Sequence, residues 1–478
     1  MYTPPTVHRT VKQTIDWKIV ICYLLLVLIG WVNIYAAGHS SEVGTILDFD
    51  TRSGKQFVWI ITAFILATLI LFVFNPRLWE VISIPTYVCV VLLLVGVIFL
   101  GVEIKGSRSW FALGPVRFQP AEISKISTSL VLATVMSRIN LKHNNTRNLL
   151  MIAAIIGIPM LAILAESETG SALVYLGFIF VLYREGLSGW LLAFIGLAIL
   201  LFILTLVASP YAAILTLVGL VSLGCCYESD KMKLWFFLFV PLIVILALLP
   251  KYWVTFFEGT SPMIVPLILS GLAIPVLAVM AFKSKRNIIW VSLGAFIAGA
   301  ILVFSTNFIF NNILQDHQRK RIEVLLGMKE DPTGIGYNVN QSMIAIGSGG
   351  LTGKGFLKGT QTAFGFVPEQ STDFIFCTVG EEWGFIGCLA VILLYIIMIY
   401  RIITDAEQSR ETFTRIYGYS VASLISMHLF INIGMTIGLM PVIGIPLPFL
   451  SYGGSSLWAF TVLLFIFIAL DKQENKYF

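Results

Sequence analysis

The chain has 478 residues, 58% hydrophobic and 12% charged, with a mean hydropathy of +0.90. Soluble domains carry roughly 25% charged residues, so a soluble fold is excluded. The formal charge of +5 does not point to nucleic acid, because basic residues in a membrane chain record orientation across the bilayer rather than a ligand.

Apolar runs lie near 17–37, 56–75, 80–101, 119–138, 148–165, 170–184, 189–208, 211–227, 233–250, 262–282, 288–310, 374–400, 414–438 and 454–470. Most approach the roughly 20 residues that a helix needs to cross hydrocarbon. Backbone in lipid must satisfy its own hydrogen bonds, so the runs predict an all-α integral membrane bundle of about fourteen spans. The first run lacks a small-residue cleavage site and reads as a retained span. Cys22, Cys89, Cys225, Cys226, Cys377 and Cys388 fall in or beside apolar runs with no metal-type spacing, and read as packing residues. With the N-terminus inside, the short inner segments collect Arg77, Arg138, Lys142, Arg147, Arg184, Lys283, Arg286, Arg401 and Arg415. That bias predicts cytoplasmic N- and C-termini and puts the one long loop, 311–373, on the outer side.

The residues able to carry chemistry crowd the predicted outer boundary. Lys105-Gly-Ser-Arg-Ser-Trp110 precedes Phe118-Gln-Pro-Ala-Glu-Ile-Ser-Lys125. Glu122 and Lys125, three apart on a helix, share a face and can pair. Ionisable groups at such depth are either functional or a structural pair fixing where the helix enters the bilayer. Glu166-Ser-Glu-Thr-Gly170 is a short turn with two carboxylates, equally readable as a solvated loop. In the long loop, Gln318-Arg-Lys-Arg321 is a solvated basic face or a grip for pyrophosphate. Asp331 stands before Pro332 and near Gly334 and Gly336. It is a turn former or a carboxylate presented on a fixed bend. The Gly347-Ser-Gly-Gly350 and Gly353-Lys-Gly355 segments lack the phosphate-cradling Gly-x-x-x-x-Gly-Lys-Ser/Thr pattern. Asp373, Glu381 and Glu382 sit where the next helix begins, which its dipole favours. His428, alone in an apolar run, reads as a buried hydrogen-bonder. The Pro- and Gly-rich stretch 438–455 cannot be continuous helix, and broken backbone at that depth needs protein or a wet cavity over it.

Five segments, in this order, resemble the SEDS family of cell-shape and cell-division proteins. They are Gly106-Ser-Arg-Ser-Trp110; Gln119-Pro-Ala-Glu122; Glu330-Asp-Pro-Thr-Gly-Ile-Gly-Tyr337 with Gln341 and Ser342; Pro368-Glu369 with Thr372-Asp-Phe-Ile-Phe376; and Pro446-Leu-Pro-Phe-Leu-Ser-Tyr-Gly-Gly-Ser455. Lys358-Gly-Thr-Gln361 and Pro441-Val-Ile-Gly-Ile-Pro446 look more like the elongation branch than the division branch. The resemblance implies a family core of about ten spans with about four more inserted. The domains then run 1–188, 189–310 with the extra spans, 311–373 as an extracytoplasmic catalytic loop, and 374–478. The chain departs from the family at Glu168, where Asp is common, and at Gly327-Met328, where many relatives have Asp-Pro.

The resemblance further implies an inverting peptidoglycan glycosyltransferase in the bacterial inner membrane. Its substrate would be lipid II, an undecaprenyl-pyrophosphate disaccharide-peptide, and its partner a class B penicillin-binding protein transpeptidase. Asp331 is then the general base. The substrate-binding candidates are Arg108, Trp110, Glu122, Lys125, Glu168, Arg319, Lys320, Arg321, Gln341, Ser342, Lys354, Glu369, Asp373 and Ser451. Charge developing on a pyrophosphate leaving group calls for cations; a divalent ion (Mg or Mn) would also serve, but the sequence shows no ligand cluster for one and no other cofactor. The rival readings are a lipid-linked oligosaccharide flippase, which favours midplane sites on broken helices and internal repeats, and a non-catalytic scaffold that would tolerate loss of Asp331.

Overall fold

The computed structural model describes residues 15–38, 45–104, 107–113, 116–139, 146–228, 287–312, 336–440 and 442–476, with 233, 237, 240–245, 268, 271–275, 278–279, 319 and 323 besides. In chain order these hold α1 (Trp17–Gly38), α2 (Arg52–Phe72), α3 (Arg77–Leu100), β1 (Val102–Ile104), β2 (Ser107–Leu113), β3 (Val116–Phe118), α4 (Pro120–Arg138), α5 (Thr146–Ala165), α6 (Thr169–Val174) and α7 (Phe178–Arg184). Then follow α8 (Gly189–Val207), α9 (Pro210–Glu228), α10 (Asn287–Asn312), α11 (Tyr337–Ser348), α12 (Ile375–Gln408), α13 (Thr412–Thr436) and α14 (Gly454–Lys476). Among the described residues, eight helices are long and apolar enough to cross a membrane: α1, α2, α3, α5, α10, α12, α13 and α14. The chain is a helical membrane protein. The predicted span at 170–184 is broken into α6, a 3-10 turn at Tyr175–Gly177, and α7. The predicted spans near 233–250 and 262–282 lie largely outside the described residues.

Two compact units divide the chain: residues up to 187 with those from 332 onward, and 188 to 331. In the first, α4 lies among α3, α5, α13 and α14. Lipid-facing helices must be apolar on the outside, but α4 buries Ser124, Ser127, Thr128, Ser129 and Thr134 against protein. A helix shielded from lipid can carry such groups because neighbouring helices and its own carbonyls satisfy them. Ser129 Oγ donates to Lys125 O at 2.7 Å and Thr134 Oγ1 to Ser83 Oγ at 2.8 Å. The apolar core of this unit includes Tyr23, Leu26, Leu130, Phe178, Tyr417 and Phe467, all essentially inaccessible. Local signals start the helices: Thr51 caps α2 by accepting from Gly54 N at 3.2 Å, and Pro120 opens α4, where a missing N–H costs nothing.

Two stretches without a helical hydropathy pattern gain structure. Val102–Ile104, Ser107–Leu113 and Val116–Phe118 form a three-stranded antiparallel sheet in the order β1-β2-β3, with Trp110 opposite Val102 and Phe111 opposite Phe118. Part of the long loop forms α11, held by tertiary contact: Ala345 is buried, and Ser342 Oγ donates to Thr436 O at 2.9 Å.

Helix α12 breaks at Gly384 (φ 65°, ψ −160°), and the loop at 349–355 fills the break. Lys354 N and Gly355 N donate to Glu381 O and Glu382 O, both at 3.0 Å, while Phe385 N and Ile386 N donate to Gly350 O and Leu351 O at 2.9 and 3.2 Å. The loop thus replaces helical bonds lost at the kink, as irregular backbone inside a membrane protein requires. Only glycine permits the approach. A Cβ on Gly353 (φ +80°) would lie 2.1 Å from Glu382 O, and one on Gly384 2.3 Å from Gly353 N.

The second unit has its own apolar core. Leu201 from α8, Ala213, Ile214 and Leu217 from α9, and Phe296, Ala300 and Val303 from α10 pack together.

Candidate functional site

Polar groups of the first unit gather at the end of the bundle where α4 and α6 begin and α5 and α13 finish. The i, i+3 pair forms as expected: Lys125 Nζ donates to Glu122 Oε1 at 2.8 Å, with both side chains at most 5% exposed. Lys125 also reaches His428 Nε2 at 3.1 Å, and His428 Nδ1 lies 3.0 Å from Pro446 O. A carbonyl only accepts, so Nδ1–H is the donor and Nε2 offers its lone pair to the ammonium. The Phe460 ring closes the cluster, 4.9 Å from Lys125 Nζ and edge-on to His428. Glu122 Oε2 is buried without a hydrogen-bond partner. The charge pair is therefore only partly saturated, and it is shut off from the surface.

Beside it, the turn between α5 and α6 meets the sheet. Glu168 Oε1 accepts from Ser109 Oγ and Gln119 Nε2, both at 2.6 Å, and Ser107 Oγ donates to Glu166 O at 3.0 Å. Burial pushes the Glu168 carboxyl up; the bonds from Ser109 and Gln119 oppose this, and the charge of Glu122 adds to it. Glu166 is 2% exposed, and neither of its carboxylate oxygens has a partner. Burial, with the nearby Glu168 charge, pushes Glu166 up to about 8. Between α4 and the 3-10 turn, Ser124 Oγ and Tyr175 OH bond at 2.7 Å. Arg108 projects from β2 with its side chain 60% exposed, loosely paired with Glu103 at 3.5 Å. Trp110 is half-buried.

Other candidates hold loops together. Glu381 is fully buried and saturated: Thr360 N and Gln361 N donate to Oε1 at 2.7 and 2.9 Å, and Thr362 N and Oγ1 to Oε2 at 2.9 and 2.8 Å. Lys354 Nζ completes this set at 2.7 Å. Lys354, expected to meet pyrophosphate, is thus engaged by a carboxylate. Asn432 Nδ2 donates to Asp373 O at 2.8 Å and to Ile445 O at 2.7 Å, tying the 369–374 loop to the 442–453 loop. Ser451 Oγ is buried and accepts from Leu447 N at 2.8 Å. Ser342 bonds Thr436, Gln341 is half-buried, and Glu369 is exposed in a left-handed turn (φ 54°).

In the second unit, Arg319 lies over the Phe310 ring and donates to Asn311 Oδ1 at 3.0 Å. Asp331, Lys320 and Arg321 lie outside the described residues. Among the described residues, no group of three His, Cys, Asp or Glu side chains is arranged to hold a metal. Composition and spacing did not single out Ser109, Gln119 or Tyr175 for a role, and no local pattern links His428 to Lys125, 303 positions away.

Residues 16–222 and 232–476 match the FtsW/RodA/SpoVE family model, described as Cell cycle protein. Peptidoglycan glycosyltransferase MrdB of Escherichia coli (strain K12) is 30% identical over 383 residues, covering 80% of this chain and 75% of its own. Peptidoglycan glycosyltransferase RodA of Treponema pallidum (strain Nichols) is 28% identical over 475 residues, covering 96% of this chain and 98% of its own. The fold is shared with a chain solved in a study of "structural coordination of polymerization and crosslinking by a peptidoglycan synthase complex", at TM-score 0.61 and 22% identity over 96% of this chain and 98% of that one. It is also shared with the rod shape determining protein RodA of Thermus thermophilus, at TM-score 0.54 and 22% identity over 96% and 97% of the two chains.

Proposed function

The chain belongs to the FtsW/RodA/SpoVE family, and from that premise we propose that it is a peptidoglycan glycosyltransferase of the bacterial inner membrane, polymerising glycan strands for cell shape. The observation that carries this is the match to glycosyltransferase relatives over most of the chain. In support, the buried groups Glu122, Lys125 and Glu166 and the half-buried Glu168 lie where α4 and α6 begin and α5 ends, whereas transporters place their sites near the midplane.

In this reading the substrate is lipid II and that end faces outward, with both termini cytoplasmic. About fourteen spans are organised as a family core of about ten with about four inserted between 189 and 310. Asp331, on the 311–373 loop, takes the proton from the acceptor hydroxyl as its oxygen attacks the anomeric carbon of the donor. That carbon inverts, and the polyprenyl pyrophosphate leaves. An ordinary Asp, with a pKa near 3.9, is a weak base, and desolvation at a lipid boundary strengthens it. Arg108 is the candidate cation for the pyrophosphate, being exposed and only loosely paired. Lys320 and Arg321 join it in this reading. No resident cofactor is assigned, and a class B penicillin-binding protein is the partner that crosslinks the product.

The test is conversion of fluorescent lipid II to polymer by the purified full chain, alone and with its transpeptidase partner. Polymer is expected, and Asp331→Ala abolishes it while leaving the melting temperature in detergent unchanged. Polymer from Asp331→Ala removes Asp331 as base. Movement of lipid across sealed vesicles without polymer replaces the enzyme by a flippase.

A further inference from the structure

One carboxylate oxygen ties the central strand of the sheet to the start of α4. Glu168 Oε1 takes the hydroxyl of Ser109 on β2 and the amide of Gln119, the residue that follows β3 and precedes α4. Strands β1 and β3 have three residues each, and so small a sheet has little stability of its own. Side chains alternate along a strand. Ser107 and Ser109 turn toward the α5–α6 turn, where they bond Glu166 O and Glu168, and Arg108 and Trp110 therefore project from the opposite face. On that face Arg108 is open to solvent beside Glu103. The clamp is charge-assisted and buried on one side; the cation is exposed on the other.

We propose that Glu168 is a positioning residue: by holding Ser109 and Gln119 it fixes β2 so that Arg108 meets the pyrophosphate of a polyprenyl-linked donor. The ligand class rests on the glycosyltransferase reading, whereas the clamp rests on geometry. Glu168→Gln can keep an amide oxygen as the acceptor for Ser109 and Gln119, because Oε2 has no hydrogen-bond partner, but it removes the charge and so weakens both bonds. Exchanging the partners, as Glu168→Gln with Gln119→Glu, returns a carboxylate and an amide to the same gap and with them a charge-assisted bond.

Steady-state polymerisation of lipid II by the full chain tests this, alongside binding of undecaprenyl pyrophosphate. Glu168→Gln is expected to raise KM and the undecaprenyl pyrophosphate Kd about tenfold, as loss of the charge from a pair of hydrogen bonds does, with a smaller change in kcat. Ser109→Ala, which changes no charge, gives a milder shift of the same kind should Glu168→Gln fold poorly. Arg108→Ala raises both constants similarly, the Arg108→Ala/Glu168→Gln pair adds little more, and the exchanged pair recovers most of the loss. Additive losses in the double variant, or a kcat-only defect, would overturn the proposal, because Glu168 would then act without Arg108. If the wild type binds undecaprenyl pyrophosphate but makes no polymer, the glycosyltransferase reading fails and the binding arm still decides the positioning role.

Discussion

Among the described residues, two lysine–glutamate pairs of nearly equal length differ in everything around them. Lys354 and Glu381 meet at 2.7 Å, Lys125 and Glu122 at 2.8 Å. Glu381 also takes three backbone N–H groups and the hydroxyls of Thr360 and Thr362, so both of its oxygens are saturated. Glu122 has one oxygen with no partner, and its lysine is shared with His428. A fully satisfied buried network rigidifies a fold, and an unsatisfied buried oxygen calls for another explanation. Glu381 is a staple that fastens the 350–362 loop over the kink in α12. The Glu122 cluster keeps hydrogen-bonding capacity in reserve beside the sheet and the α5–α6 turn. Identical residue types therefore serve different ends, and the number of donors around the carboxylate separates them.

The contrast is broken most severely at Glu381. Glu381→Ala leaves the backbone donors of Thr360, Gln361 and Thr362 without their acceptor, and is expected to cost about 2–3 kcal/mol of stability or more, as stranding buried donors does. Denaturant unfolding in detergent measures it, and a cost near zero would remove the staple from the account. At the other cluster, Glu122→Gln with Lys125→Met removes both charges together. Such paired replacement is often close to neutral for stability, whereas polymerisation should fall by about tenfold or more with the charge-assisted bonds gone. Full activity in a stable double variant would make both pairs structural. A third effect, on the pH dependence of stability, concerns the neighbouring turn. Glu166 rises from its ordinary 4.5 to about 8 in the folded chain, so folding favours the protonated form. Its contribution to stability is complete below pH 4.5 and is lost as pH rises through 8. Glu166→Gln should flatten that part of the pH–stability curve, and an unchanged slope would show that Glu166 does not titrate there.

Much of the frame was legible because its causes are local. Apolar run length predicted the long spans, and the i, i+3 spacing predicted the Glu122–Lys125 pair. The small sheet was not legible, since strands of three residues leave too short a pattern. Nor was α11, whose polar sequence folds only because α12 and α13 receive it. Lys354, between two glycines, looked like a free cation for pyrophosphate until the kink at Gly384 brought Glu381 beneath it. Its role was decided 27 residues away.

By itself, the order of residues determined that the chain is a membrane helix bundle, because bilayer thickness and backbone hydrogen bonding act on each run separately. It also determined the family, through motifs that keep their order along the chain. Only the tertiary structure decided which carboxylate is saturated and which holds a spare oxygen. The donors that settle this arrive from segments distant in the chain, and hydrogen bonds depend on separation in space, which no local spacing encodes.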